Sequence, residues 1–248
     1  MTTQSWPGAN RRNPRRSSST WVVRSSLVRW LEAQVDELRA RAPVRVLDVG
    51  CGVKPYYPLF APIASAYVGV DMVETEWADV LGPVEALPVE DASFDVVLCT
   101  QVLEHADDPA QAVRELRRVL APGGRVLAST HGVQWYHPSP NDHWRWTHTG
   151  LRLLFERNGD WSSLSIEPAT GTGSTIAMLL ANYLEVALRG TVVARGVVSL
   201  LHRAGALVDR SSPKLRDVRQ GSLIANFHVV ADVAAQRAGN RTAGSEPR

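Results

Sequence analysis

"VLDVGCGVKP", residues 46 to 55, is an apolar run that enters two glycines spaced by one residue and then reaches a proline. Val, Leu and Val interrupted by a single Asp suit a strand buried on both faces, as in a parallel sheet. Gly50 and Gly52 follow where that strand would end, and glycine takes the tight turns that side chains oppose. Strand–Gly-x-Gly turns serve dinucleotides, phosphates and S-adenosylmethionine alike, so this stretch points to an α/β fold without naming its ligand.

The residues after the turn narrow the choice. A dinucleotide fingerprint needs a third glycine, which lets the following helix approach the strand closely. Pro55 stands at that position. No G-K-[ST] follows the turn either, which excludes a P-loop. Downstream, "AYVGVDMVE" ends a second strand on Asp71. A carboxylate there can accept from both hydroxyls of a ribose, which an NAD and an S-adenosylmethionine ligand both offer.

Outward from this core the chain alternates strand-like and helical runs. Strands are expected at Val44–Val49, Ala66–Asp71, Ala78–Leu81, Phe94–Cys99, Gly124–Thr130, Leu164–Glu167 and Leu223–Val230. Before them, Val23, Leu27, Trp30, Leu31, Val35 and Leu38 recur at helical spacing, and Pro43 closes that helix. Asp108 and Pro109 read as the N-cap and first position of another helix, which Pro122-Gly123-Gly124 stops. A further helix over 149–157 should end on Asn158-Gly159 in a left-handed C-cap. Continuous apolar strands joined by helices predict a parallel sheet covered on both faces.

Composition sets outer bounds. The chain has 248 residues, 44% of them apolar and 21% charged, with a net charge of +2, which gives no ground for a nucleic-acid partner. Two cysteines, Cys51 and Cys99, form no C-x-x-C pair and read as small buried spacers in a reduced, cytoplasmic setting. Residues 1–19 are polar with four arginines and no apolar signal-peptide core, and are expected to be a disordered basic tail. Residues 20–233 are expected to form the folded domain and 234–248 a frayed tail.

With these pieces in order, "VLDVGCG", "YVGVDM" and "EALPVEDASFDVVLCTQVLEHADDPAQAVRELRRVLAPGGRVLAST" resemble the class I S-adenosylmethionine-dependent methyltransferases, in their type 11 small-molecule branch. The resemblance covers residues 44–130. It implies a Rossmann-like seven-stranded sheet, mostly parallel with an antiparallel last strand, and S-adenosylmethionine as cofactor. By resemblance, Asp48, Gly50 and Gly52 are methionine-side contacts, Asp71 is the ribose acceptor with Met72 on the adenine, and Gln101 faces the methionine moiety. The family's acidic residue for the adenine amino group is replaced by Pro83, so adenine is expected against the backbone of Val84 or Glu85. His105, in "LEH", is a family feature near the cofactor with a positioning role.

Methyl transfer is an in-line displacement in which positioning does most of the work, helped by a base when the acceptor must lose a proton. "THGVQWYHPSPNDHWRWTHTG", residues 130–150, holds four of the seven histidines and three of the eight tryptophans. His131, His137, Asp142 and His143 are the catalytic candidates, although Asp142 and Arg145 also read as a pair that holds the loop. The tryptophans suit either stacking on an acceptor or closing the core. No H-x-x-x-H or C-x-x-C spacing supports a metal.

Before the last strand lies an apolar insertion, residues 174–210. Asn182, Glu185 and Arg189, then Thr191, Arg195, Ser199 and His202, fall on narrow polar stripes, so two helices with wide apolar faces are expected. Each is shorter than a membrane span. Packing on the domain beside the cleft, a homodimer contact and a peripheral membrane contact through 175–207 remain open. The reading is therefore methyl transfer to a small molecule or glycan, with oxygen favoured. Its rivals are an inactive cofactor-binding partner subunit and an NAD-linked oxidoreductase.

Overall fold

The computed structural model describes residues 6–137, 140–188, 191–220 and 222–235. Seven strands form one sheet: β1 (Val44–Val49), β2 (Ala64–Asp71), β3 (Val80–Leu81), β4 (Phe94–Thr100), β5 (Leu120–His131), β6 (Ser163–Pro168) and β7 (Asn226–Asp232), in the order β3-β2-β1-β4-β5-β7-β6. β7 runs antiparallel to both neighbours and the other pairings are parallel. The chain order reverses between β1 and β4, and open α/β sheets place ligands outside the carboxyl ends of the strands at such a reversal.

Strand alternation splits the core in two. Leu47, Val49, Val97, Cys99, Val126 and Ala128 point to one face, where Val113 and Leu116 of α4 (Pro109–Arg118) and Leu151 and Phe155 of α5 (His148–Asn158) cover them. Val44, Val46, Val96, Leu98 and Leu127 point to the other, under Leu27, Leu31, Val35 and Leu38 of α2 (Trp21–Leu38) and Phe60 of α3 (Tyr57–Phe60). Burying one such aliphatic side chain contributes about 1.5–3 kcal/mol. Asp48 alternates with Leu47 and Val49, so it enters the second layer as a buried carboxyl.

Helix punctuation follows local chemistry. Asp108 Oδ1 accepts from the backbone N–H groups of Ala110 and Gln111, both at 3.0 Å, and Pro109 opens α4. Ala42, before Pro43, is extended, and α2 gives way to a 3₁₀ turn at Arg39–Arg41 before it. One expectation fails: Gly159 after α5 has φ −162° and ψ 148°, so α5 ends in extended backbone rather than a left-handed cap. Trp161, whose indole N–H donates to Phe155 O at 2.9 Å, lies where a Cβ on Gly159 would clash.

The N-terminal stretch corrects a second expectation. From Trp6 onward the supposed disordered tail is packed on the domain. The Trp6 ring lies 4.5 Å from Tyr57 and 5.0 Å from Trp77, and its N–H donates to Lys54 O at 2.9 Å. α1 (Ala9–Arg12) brings Arg12 to Pro55 O at 2.6 Å, so the glycine turn is clamped from outside. Guanidinium–carbonyl bonds leave no periodic apolar signal, which is why sequence patterning misses them. Residues 1–5 and 236–248 lie outside the described residues, as do Arg189 and the tail expectation for 236–248.

α6 (Thr172–Ala187) and α7 (Val192–Ser211) form the expected helical insertion. They close at Gly173 and Gly205, where a Cβ on Gly205 would stand 2.6 Å from Gly173 O. Of their polar stripes only His202 turns fully inward, while Glu185, Thr191 and Arg195 stay exposed. His202 is fully buried and its Nδ1 sits 2.8 Å from Arg16 O, while Glu185 accepts from the Ser19 N–H at 3.1 Å. Tyr183, Leu200 and Leu207 stay exposed. No described helix is long and apolar enough to cross a membrane.

Candidate active site

Two cavities meet at the carboxyl ends of β1, β4 and β5, and His105 lines both. The larger, about 290 Å³, is walled by Gly50, Asp71, Met72, Pro83, Val84 and Glu85. Gly50 has φ +66°, and a Cβ there would stand 2.4 Å from Val102 Cγ2, so the turn tolerates no side chain. Asp71 ends β2 with Oδ2 accepting from Gly52 N–H at 2.8 Å and Oδ1 from Val73 N–H at 3.0 Å. Each carboxylate oxygen keeps a further lone pair for a ligand hydroxyl. Met72 is 60% exposed, and its thioether suits the face of an aromatic ring. Glu85 Oε1 is engaged by Asp107 N–H at 2.8 Å, which ties the two walls together and leaves base reading to the backbone.

Asp48 and Gly52 line neither cavity. Asp48 accepts from the Tyr67 hydroxyl at 2.7 Å beneath the turn, and Gly52 supports Asp71. Burial raises the Asp48 carboxyl to about 7, partly offset by the Tyr67 bond and Lys54. Cys51 and Cys99 are buried free thiols, and burial raises both, Cys51 to about 12, so neither is a nucleophile near neutral pH.

The second cavity, about 180 Å³, is lined by Gln101, Glu104, His105, His131, Trp135 and His137 on one side. Arg11 of α1 and Thr20, Val23 and Arg24 around the start of α2 close the other. Gln101, held at φ +59°, donates its amide to Ser129 Oγ at 2.9 Å, which fixes its side chain at the end of β4. A non-glycine residue in this region persists only where its surroundings hold it there.

Glu104 was not singled out by sequence reasoning, yet it is strongly perturbed here. It is fully buried, accepts from Thr130 Oγ1 at 2.8 Å, and its Oε1 lies 3.1 Å from His131 Nε2. Burial lifts its carboxyl to about 7. Burial, with the Arg145 charge, holds His131 neutral, down to about 3. We read the two as one unit with a single titrating proton near neutrality. Register creates the pair: β4 and β5 align Thr100 with Ser129, so the turn after β4 that carries Glu104 meets His131 at the end of β5. The available signal was an acid and a histidine at adjacent strand ends.

The other two catalytic candidates are placed elsewhere. Asp142 is bound by the Arg145 guanidinium and by His137 N–H at 2.7 Å, and Arg145 also donates to Trp135 O at 2.8 Å. Its carboxyl is held down to about 2 by Arg145. This is the loop-holding pair. The His143 ring sits 3.2 Å from Asp107 Oδ1, outside both cavities, while its backbone N–H donates to Glu104 O at 3.0 Å. Of the tryptophans only Trp135 lines the acceptor cavity; Trp144 stacks on Trp146 at 5.7 Å. Among the described residues no group of three His, Cys, Asp or Glu side chains could hold a metal.

Residues 47–128 match the family model described as a methyltransferase domain. This stretch is a type 11 methyltransferase domain. The chain is 42% identical over 95 residues to a Mycolicibacterium smegmatis protein named "Probable S-adenosylmethionine-dependent methyltransferase", covering 34% of this chain and 37% of that one. It is 34% identical over 113 residues to the ubiquinone biosynthesis O-methyltransferase of Pseudomonas putida, covering 39% and 48%. Among solved structures, the Burkholderia thailandensis 1,6-didemethyltoxoflavin-N1-methyltransferase, with its substrate and S-adenosylhomocysteine bound, superposes with a TM-score of 0.51 at 16% identity, over 84% of this chain and 78% of that one. The last likeness shows the fold. This chain spans less than half the length of the curated relatives it matches.

Two of the methyltransferase domain's buried carboxyls have a measurable consequence. Asp48 and Glu104 titrate near 7 in the fold and well below that when unfolded, so the native state binds more protons between pH 4 and 7. Their stabilisation is complete below the unfolded values and is lost as pH rises through about 7. Each therefore lowers stability by about 1.4 kcal/mol per pH unit across the window. Urea unfolding of Asp48→Asn should show a flatter decline between pH 4.5 and 7 than the wild type; an unchanged slope would remove Asp48 from the account.

Proposed function

We propose that this chain transfers a methyl group from S-adenosylmethionine to a small-molecule acceptor, with a hydroxyl oxygen as the nucleophile. The observation that carries the reading is the junction at His105. A ribose-competent cavity on one side opens onto a cavity on the other whose wall holds a carboxyl–imidazole pair with spare acceptor capacity. The O-methyltransferase named among the relatives supports oxygen.

The residues fit that cofactor. Gly50 leaves backbone room, Asp71 offers lone pairs to the ribose, Met72 and Val84 flank the adenine, and Gln101 reaches the methionine end. When bound, the cofactor supplies an electrophilic methyl carbon, and its transfer leaves a neutral thioether. The protein's part is to hold the acceptor oxygen in line and take its proton. Glu104 as carboxylate receives positive character on His131, so the proton passes to the pair and the buried charge is neutralised rather than created. Trp135 and Val23 give the acceptor an apolar wall. Leu179 of α6 packs into the same cluster through Val22, Met178 and Ala225, whereas Leu180 is 48% exposed. Leu179→Ser is therefore expected to raise the acceptor KM several-fold with cofactor affinity unchanged, and Leu180→Ser to do neither.

Asp142→Ala tests the loop. Freed of Arg145, the wall formed by Trp135 and His137 loses its tether, and turnover should fall about tenfold without a change in the pH profile. A shifted profile would return Asp142 to proton transfer. The function itself is tested by calorimetry with S-adenosylmethionine, S-adenosylhomocysteine and NAD, followed by methyl-transfer assays on phenolic and other hydroxylated metabolites. Tighter binding of NAD than of S-adenosylhomocysteine overturns the reading. Cofactor binding without transfer to any acceptor favours the partner-subunit alternative.

A further inference from the structure

Behind α2, away from the methyl-transfer cavities, a third and larger cleft of about 830 Å³ opens between α2, the ends of β6 and β7, and α7. It shares no lining residue with the other two. α2 gives Val23, Arg24 and Leu27 to the acceptor cavity, and Trp21, Ser26, Arg29 and Trp30 to this one.

The cleft's charge is unbalanced. Arg16, Arg29, Arg203, Arg210 and Arg216 converge on it from four separate stretches of chain, against the carboxylates Glu167 and Asp209. Asp209 is already committed, since it accepts from the backbone N–H groups of Gly171, Gly173 and Ser174 at 2.8–3.1 Å and neutralises the start of α6. Among the described residues none of the five guanidinium groups pairs with a carboxylate within salt-bridge distance; Arg16 lies over the Trp21 ring at 4.8 Å instead. Burial lowers the Arg29 guanidinium, and Arg16 and Arg210 add to that by repulsion while Glu32 opposes it. Like charges gathered in one concavity cost free energy unless an anion joins them.

The floor carries a second, independent sign. His228 is 5% exposed and stacked on Trp30 at 4.5 Å, and its Nε2 has no hydrogen-bond partner. His202 Nε2 and Thr170 Oγ1, both lining the same cleft, are likewise buried without partners. Native proteins leave few such groups unsatisfied, because each forgoes its hydration. The neutral His228 imidazole and the Thr170 hydroxyl lie under a ring of guanidinium groups as donors for an acceptor-rich anion, whereas His202 spends its N–H on Arg16 O and keeps only an acceptor at Nε2.

We propose that this cleft binds a phosphate-bearing anion, gripped by Arg29, Arg210 and Arg216 over the donors of His228 and Thr170. Guanidinium groups meet phosphate with paired, charge-assisted hydrogen bonds, which a scattered lysine surface does not supply. The phosphate can arrive as a free compound or as a lipid headgroup. Leu207 lies at the cleft and Leu200 two turns before it on the same exposed stripe of α7, where an acyl chain would find apolar surface.

The test titrates the full chain with inorganic pyrophosphate by calorimetry, and sediments it with phosphatidylcholine vesicles with and without phosphatidic acid. Wild type should bind pyrophosphate saturably at one site, and Arg29→Gln with Arg210→Gln should weaken it by about tenfold or more while keeping the wild-type unfolding midpoint. If that pair lowers the midpoint, Arg203→Gln with Arg216→Gln, at exposed positions, takes its place. Sedimentation only with phosphatidic acid, competed by pyrophosphate, assigns the lipid source; pyrophosphate binding without sedimentation assigns the soluble one. No binding of either probe, or binding indifferent to both arginine pairs, overturns the proposal.

Discussion

Glu104→Gln is expected to lower the rate of methyl transfer by on the order of 10²–10⁴-fold while S-adenosylhomocysteine binds as tightly as to the wild type. The amide keeps the volume of the side chain and can still accept from Thr130 Oγ1, which donates at 2.8 Å. It cannot carry the negative charge that balances a protonated His131 3.1 Å away. Acceptor deprotonation would then place an uncompensated imidazolium in a buried site beside Arg145, a costly arrangement. The pH profile separates this role from a structural one. Because burial places the Glu104 carboxyl at about 7, wild-type turnover should rise as pH passes through that value and the proton leaves. Glu104→Gln should lose that rise, and His131→Ala should lose both the rate and the rise. Wild-type turnover with the same profile in Glu104→Gln would move the base to His137 or remove the need for one.

Asp71→Ala should weaken S-adenosylhomocysteine binding by on the order of 10–100-fold, the value of one or two charge-assisted hydrogen bonds to ribose hydroxyls. In the ligand-free protein Asp71 already serves the fold, accepting from Gly52 and Val73 N–H groups. The same substitution should therefore cost about 1 kcal/mol of stability without ligand. Measuring both quantities separates the roles. A folded variant with reduced stability and unchanged ligand affinity would make Asp71 a capping residue only, and the ribose assignment would fail.

Much of this protein could be read along the chain, because its signals are local. The apolar runs at Val44–Val49 and Phe94–Thr100 report strands buried on both faces, whichever layer covers them. Gly50 at φ +66° and Asp108 at its helix cap act through backbone geometry within a few residues. Asp71 followed from the strand that ends on it. These features needed no knowledge of what packs where.

Convergence was decided only in three dimensions. Glu104 and His131 meet because β4 and β5 pair in one register; a shift of one residue would turn one of them to the opposite face. Asp142 and His143 sit in the right loop, but Arg145 and Asp107 draw their side chains away from the acceptor. The burial of His202 and the bond from Ser19 N–H to Glu185 depend on a packed N-terminal stretch that composition described as a polar tail. Likewise the arginine-lined cleft gathers residues from positions 16 to 216, none informative alone. Periodicity reports which face of an element is apolar. Which polar groups share a cavity depends on register, helix rotation and long-range hydrogen bonds, and those are properties of the folded chain.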